Sequence, residues 1–141
     1  MPLLIELTTD ECERLLRRGT FGRMILATPR GIEVVPVNYT VHGSTLLVCT
    51  SSGGTLARFG DDAELVFEVD LVDEERWHGW SVVARGRGRV RRDDRPGPSA
   101  RPWVAGDRTC QLRLTWEELT GRKVGAGWDP EEAMYSRNAV R

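Results

Sequence analysis

Apolar positions recur in this chain with two different periods. Cys12, Leu15 and Leu16 stand at helical spacing behind Thr8-Thr9-Asp10-Glu11, where Thr8 can cap the first turn and Glu11 can reach back. Arg17, Arg18 and Gly19 supply a C-terminal stop, so a short amphipathic helix is predicted. The period then falls to two. Residues 20–28, 32–41 and 45–50 are rich in β-formers and are separated by Pro29-Arg30-Gly31 and His42-Gly43-Ser44, which predicts an antiparallel meander. A Ser/Gly loop follows and runs into a one- or two-turn helix over Thr55 to Phe59 that ends at Gly60. Residues 63–72 alternate, with Leu65, Phe67 and Val69 on a face to be buried and Glu64, Val66, Glu68 and Asp70 on the other.

Residues 80–92 read as a fifth strand, in which Arg85, Arg87, Arg89 and Arg91 point one way and Gly86, Gly88 and Val90 the other. Glycines within a strand mark a bulge or a close approach by a backbone or ligand; the arginines alternatively form a solvated edge that blocks aggregation. Residues 93–106, with three prolines and two glycines, read as a loop. A sixth strand is predicted over residues 108–116, with 117–125 as a short extension, and no clear period continues beyond Ala126. Six short strands, one long loop and two small helices predict a mainly β, closed or nearly closed Greek-key barrel.

Composition narrows the class without changing this picture. A chain of 141 residues suits one domain, expected over residues 1–125 with residues 126–141 as a peripheral or disordered tail. With 40% hydrophobic and 29% charged residues it reads as globular, and no window approaches the about 20 apolar residues of a membrane span. The N-terminus has no secretory pattern, so a cytoplasmic protein is expected. Cys12, Cys49 and Cys110 are widely spaced among apolar neighbours and read as buried thiols. Charge is uneven: residues 1–79 carry 7 basic and 13 acidic groups, and residues 80–141 carry 13 and 8. The basic half could serve phosphate recognition or self-association with the acidic half, while a net charge of −1 argues against a nucleic-acid partner.

Candidate chemistry is sparse. His42 and His78 have no cysteine or carboxylate at ligand spacing, so no metal site is expected. No serine sits in a G-x-S-x-G elbow, and the "GRGR" run lacks the third glycine and the strand-to-helix turn of a dinucleotide fingerprint. What remains is Thr50-Ser51-Ser52-Gly53-Gly54-Thr55, hydroxyls and glycines at a strand end that open a short helix. Backbone N–H groups there can hold an anion, with Arg58 one turn on to add a charge-assisted bond. An ordinary polar loop with a helix cap is the alternative.

The order of segments then resembles a known family. Gly22-Arg23, Pro36-Val37-Asn38-Tyr39, Phe67-Glu68-Val69-Asp70 and Gly79-Trp80-Ser81-Val82, in that order across residues 4–125, resemble the pyridoxamine 5′-phosphate oxidase-like FMN-binding split barrels. The likeness is strongest to the short bacterial branch that includes nitroimidazole-resistance proteins. It implies a six-stranded antiparallel split β-barrel (Greek key) with short flanking helices, and a homodimer with FMN at the interface. Carried over by position, it implies that Val35, Pro36, Val37 and Asn38 line the flavin ring largely through backbone atoms. It likewise implies Thr50, Ser51 and Ser52 at the ribityl chain and phosphate, and Trp80 with Ser81 at the ring. Many relatives have a lysine where Thr55 stands, so Arg58 would substitute or the pocket would take deazaflavin or haem instead. Trp80 alternatively reads as a core or interface aromatic.

With no evident general acid or base, the implied activity is an FMN-dependent oxidoreductase acting on an unknown small-molecule substrate, with the flavin carrying the chemistry. The alternative is a non-catalytic module that stores or senses flavin, deazaflavin or haem. True pyridoxamine phosphate oxidation is disfavoured, since no substrate-phosphate segment is evident in residues 120–141.

Overall fold

The computed structural model describes residues 3–92 and 110–139. The capping box forms as the spacing requires: Glu11 N–H donates to the Thr8 hydroxyl and Thr8 N–H to the Glu11 carboxylate, both at 3.2 Å. These bonds start helix α1 (Thr9–Arg18). Helix α2 (Thr55–Phe59) has the predicted bounds, and α3 (Pro130–Ala139) occupies part of the stretch where no period was legible. The strands are β1 (Leu4–Glu6), β2 (Phe21–Thr28), β3 (Gly31–Asn38), β4 (Thr40–His42), β5 (Thr45–Thr50), β6 (Glu64–Asp73), β7 (His78–Arg92) and β8 (Cys110–Val124).

The fold is mainly β, as expected, with eight strands among the described residues where six were predicted. All pair antiparallel in the order β3-β2-β6-β7-β8-β5-β4, with β1 added to β8, and the path is not closed by hydrogen bonds among the described residues. An added strand and a split one account for the two extra strands, and a third difference lengthens β8. Residues 4–6 add a short strand; residues 117–124, expected as an extension, continue β8 past a register shift opposite Arg85/Gly86. The predicted second strand, residues 32–41, is two strands at opposite ends of the sheet path, which breaks the meander. The loop expected over residues 93–106 lies outside the described residues.

Tyr39 causes that break. Its N–H donates to Thr20 O at 3.0 Å, and its hydroxyl, buried, donates to Leu16 O at 2.7 Å. The ring meets Phe67 edge-on at 4.7 Å between centroids, and burial pushes the phenol pKa well above its ordinary value. A side chain pulled inward at residue 39 sends β3 to β2 and β4 to β5. Gly19 makes room for it: a Cβ there would stand 2.1 Å from the Tyr39 hydroxyl.

Alternation then sorts the two sheet faces. Leu65, Phe67 and Val69 of β6 join Met24, Leu26, Val82, Ala84, Leu112 and Leu114 in one core, together with Cys12, Leu15 and Leu16 of α1. Cys12 and Cys110 are buried as expected, whereas Cys49 is half-buried. On the other face the cross-strand partners Ile25, Val34, Val66 and Arg85 fall in one row, and Arg23, Pro36, Glu68 and Val83 in the next. There Ile32 is 78% exposed and Val34 57%. No helix among the described residues is long and apolar enough to cross a membrane.

Candidate functional site

The segment from Thr50 to Ala63 is built as a turn, a short helix and a return. Thr50 ends β5, buried and paired with Cys110. Gly54 N–H donates to Ser51 O at 3.1 Å, closing a tight turn in front of α2. Gly54 is also the helix N-cap and has no side chain to occupy the first N–H groups. A Cβ at Gly54 would lie 3.0 Å from Ser51 Oγ and 3.4 Å from Thr50 Oγ1, so glycine keeps open a notch bordered by two hydroxyls. Leu56 and Ala57 bury the opposite side of α2. Arg58 N–H donates to Gly54 O at 3.1 Å, placing Arg58 one turn above the notch, and its exposed guanidinium lies 5.0 Å from the centre of the Phe59 ring.

The arginine strand holds this segment. Arg92 donates to Ser52 O at 3.2 Å and to Ala57 O at 3.1 Å. Arg89 donates to Asp62 Oδ1 at 2.8 Å, Arg87 to Asp62 O at 2.7 Å, and Val90 N–H to Asp61 Oδ1 at 2.9 Å. The Arg89 bond and charge hold the Asp62 carboxyl below the ordinary carboxylate range. Gly88 exchanges backbone bonds with Asp62 and Ala63 at 2.9 and 2.8 Å, and a Cβ on it would stand 2.2 Å from Gly60 O. The close approach expected at the strand glycines is therefore made by backbone: Thr115 O at Gly86 and Gly60 O at Gly88. Part of the charge asymmetry between the two halves of the chain is met internally, by Arg87 and Arg89 on Asp62.

The other predicted residues fall in two places. Val35, Pro36, Val37 and Asn38 form the end of β3, the last strand of the path, so half of its backbone groups are not used by the ladder. Val37 is buried on the core side, while Pro36 and Asn38 share the open face with Arg23 and Phe21. Trp80 and Ser81 are neighbours on β7 and therefore face opposite ways. Ser81 pairs with Asp70 on the open face; Trp80, 4% exposed, turns to the core face, where its indole Nε1 has no partner among the described residues. Trp80 there lines a cavity of about 440 Å³ with Leu71, His78 and Trp128. His78, expected in a loop, begins β7 and stacks on Trp128 at 4.4 Å. Thr50, Ser51 and Thr55 are thus brought together around Gly54 with Arg58 above; Trp80 and Ser81 are not brought onto one face.

Sequence reasoning missed the polar cluster on the open face. Arg23 donates to Glu68 Oε2 at 2.8 Å and to Asp70 Oδ1 at 2.7 Å, and the Glu68 hydrogen bond raises its pKa. Glu68 Oε1 is buried without a partner among the described residues. The signal was present in the alternation that set Glu68 and Asp70 opposite Val69, but only the register shows that Arg23 faces both. Arg92 was missed because its partners are main-chain carbonyls, which no residue type announces.

Residues 8–123 match the family described as pyridoxamine 5′-phosphate oxidase. A Mycobacterium tuberculosis protein, itself uncharacterized, is 31% identical across 87% of this chain and 87% of its own length. Among solved structures, the FAD-binding protein of Mycobacterium smegmatis superposes with a TM-score of 0.68 at 26% identity, covering 86% of this chain and 98% of that one. The FAD- and heme-binding protein of the same organism shares the fold at 18% identity and a TM-score of 0.65, covering 93% of this chain and 79% of that one. By the extent of the match and the identity of the relative, the chain belongs to the pyridoxamine 5′-phosphate oxidase family.

Proposed function

We propose that the chain is an FMN-dependent oxidoreductase acting on a small molecule, with FMN held between the two subunits of a homodimer. The observation that carries this reading is the notch at Gly54. Two hydroxyls, N–H groups without a side-chain cap at the start of α2 and an exposed arginine one turn on form a donor set suited to a phosphate. The residues present therefore fit the group that the family implies. Thr50, Ser51, Ser52 and Thr55 would hold the phosphate end with Arg58, and the outer backbone edge of Val35–Asn38 would meet the ring, with Ser81 offered from the open face of β7. Bound flavin would supply the redox chemistry, accepting or returning a hydride. Backbone N–H groups beside the ring would stabilise negative charge on it, and the subunit interface would shield it from water. A second copy is supported by the exposed Ile32 and Val34 on the open face and by the unpartnered Glu68 Oε1 in the same face. FAD binding by the Mycobacterium smegmatis relative supports a flavin.

Titration with FMN and riboflavin tests the assignment. Arg58→Ala should weaken FMN by about 1.5–3 kcal/mol, the scale of a hydrogen bond to a charged group, and leave riboflavin nearly unchanged. Equal losses for both ligands would signal a folding defect, and no loss for either would remove Arg58 from the site. The absorption spectrum of the purified protein separates flavin from deazaflavin and haem, and a flavin-loaded protein that turns over no electron donor would favour the storage reading.

A further inference from the structure

Arg92 spans the two limbs of the glycine turn. It donates through Nη1 to Ser52 O at 3.2 Å and through Nη2 to Ala57 O at 3.1 Å, one carbonyl before Gly53-Gly54-Thr55 and one beyond it. Its Nη1 also lies 3.5 Å from Sγ of Cys110, the residue opposite it on β8. Among the described residues, nothing lies within 4 Å of where a Cβ on Gly53 would stand, so side-chain packing at Gly53 does not fix the shape of the turn. Glycine leaves such a backbone wide conformational freedom. The far end of the segment is secured separately, by Asp61 and Asp62 on Val90, Arg89 and Arg87. The near end, which carries the hydroxyls, is closed by the Gly54 N–H to Ser51 O bond, and the Arg92 guanidinium spans it from Ser52 to Ala57.

We propose that Arg92 is a positioning residue for the cofactor phosphate: by clamping Ser52 and Ala57 it sets the shape of the Gly53-Gly54-Thr55 turn before any ligand arrives. This inference rests on the reading that the turn holds a phosphate. A loop ordered in advance does not lose that freedom on binding, so the clamp appears in affinity for the phosphate-bearing ligand. The arginines of β7 thereby acquire a role other than contact with nucleic acid. Arg87 and Arg89 fix the return of the segment, and Arg92 fixes the turn.

The test compares FMN with riboflavin on wild type, Arg92→Ala and Arg92→Lys, with the thermal midpoint of each unliganded protein measured alongside. Arg92→Ala should weaken FMN about tenfold, the scale of losing hydrogen bonds from a charged donor, while riboflavin changes less than about twofold. Arg92→Lys should fall between, because one ammonium lacks the fork that reaches both carbonyls. It also keeps the test available if the alanine variant does not fold. Equal weakening of both ligands would reduce Arg92 to general stability and overturn the proposal, as would FMN binding unchanged in both variants. A wild type that binds FMN no better than riboflavin would instead overturn the phosphate reading itself.

Discussion

The two faces of the sheet come from the same alternating strands and end in opposite conditions. On the covered face, Phe67 of β6 is fully buried, touches Tyr39 edge-on and belongs to a core shared with α1. On the open face, one residue along in each strand, Ile32 and Val34 stand exposed beside an ion cluster of Arg23, Glu68 and Asp70. The covered face buries its apolar side chains within one chain and pairs the Tyr39 hydroxyl with Leu16 O, although the Trp80 indole Nε1 finds no partner among the described residues. The open face leaves apolar side chains in water and a carboxylate oxygen likewise without a partner. Stability is thus assigned to the covered side of the sheet, and the proposed association to the open one.

The strongest challenge to that division is Phe67→Ala. It should cost about 3–5 kcal/mol of folding stability, through lost transfer energy and the cavity left behind, measured by urea denaturation. A loss near that of a surface substitution would mean that Phe67 is not central to the covered face. Tyr39→Phe should cost less, about 1–3 kcal/mol, because it leaves the ring in place and strands the buried Leu16 carbonyl. Equal midpoints for mutant and wild type would show that the hydroxyl is not what turns the chain from β3 to β4. Val34→Asp should have the smallest effect on the folded monomer, about 0.5 kcal/mol or less, yet shift self-association toward monomer in sedimentation velocity at micromolar protein. Unaltered sedimentation would detach the open face from the dimer.

Much of the covered face was legible in the sequence, because alternation reports burial directly. Leu65, Phe67 and Val69, the capping box at Thr8 and Glu11, and the bounds of α2 all follow from local pattern. The split at Tyr39 was not legible. An unbroken run of β-formers says nothing of a side chain turning inward to a carbonyl 23 residues earlier. Pairing of distant strands escaped for the same reason: β5 joins β8, and β2 joins β6, through main-chain bonds that carry no residue signature. At the candidate site, the hydroxyls and glycines at residues 50–55 announced a turn, and Arg58 could be placed by helical count. The adjacent Trp80 and Ser81 could be named from resemblance, but only the strand geometry shows that they face opposite ways. Arg92, which acts on carbonyl oxygens, became visible only when the chain was folded.

The position of β8 has a consequence for how the protein is made. Cys110–Val124 pairs with β1, β5 and β7, so three strands drawn from the beginning, the middle and the later part of the chain share one late-synthesised partner. Until that segment leaves the ribosome, those strands present unsatisfied edges, and pairing so distant in sequence closes slowly. Newly made chains therefore pass through a window in which aggregation competes with folding, and truncation before residue 124 prolongs it indefinitely.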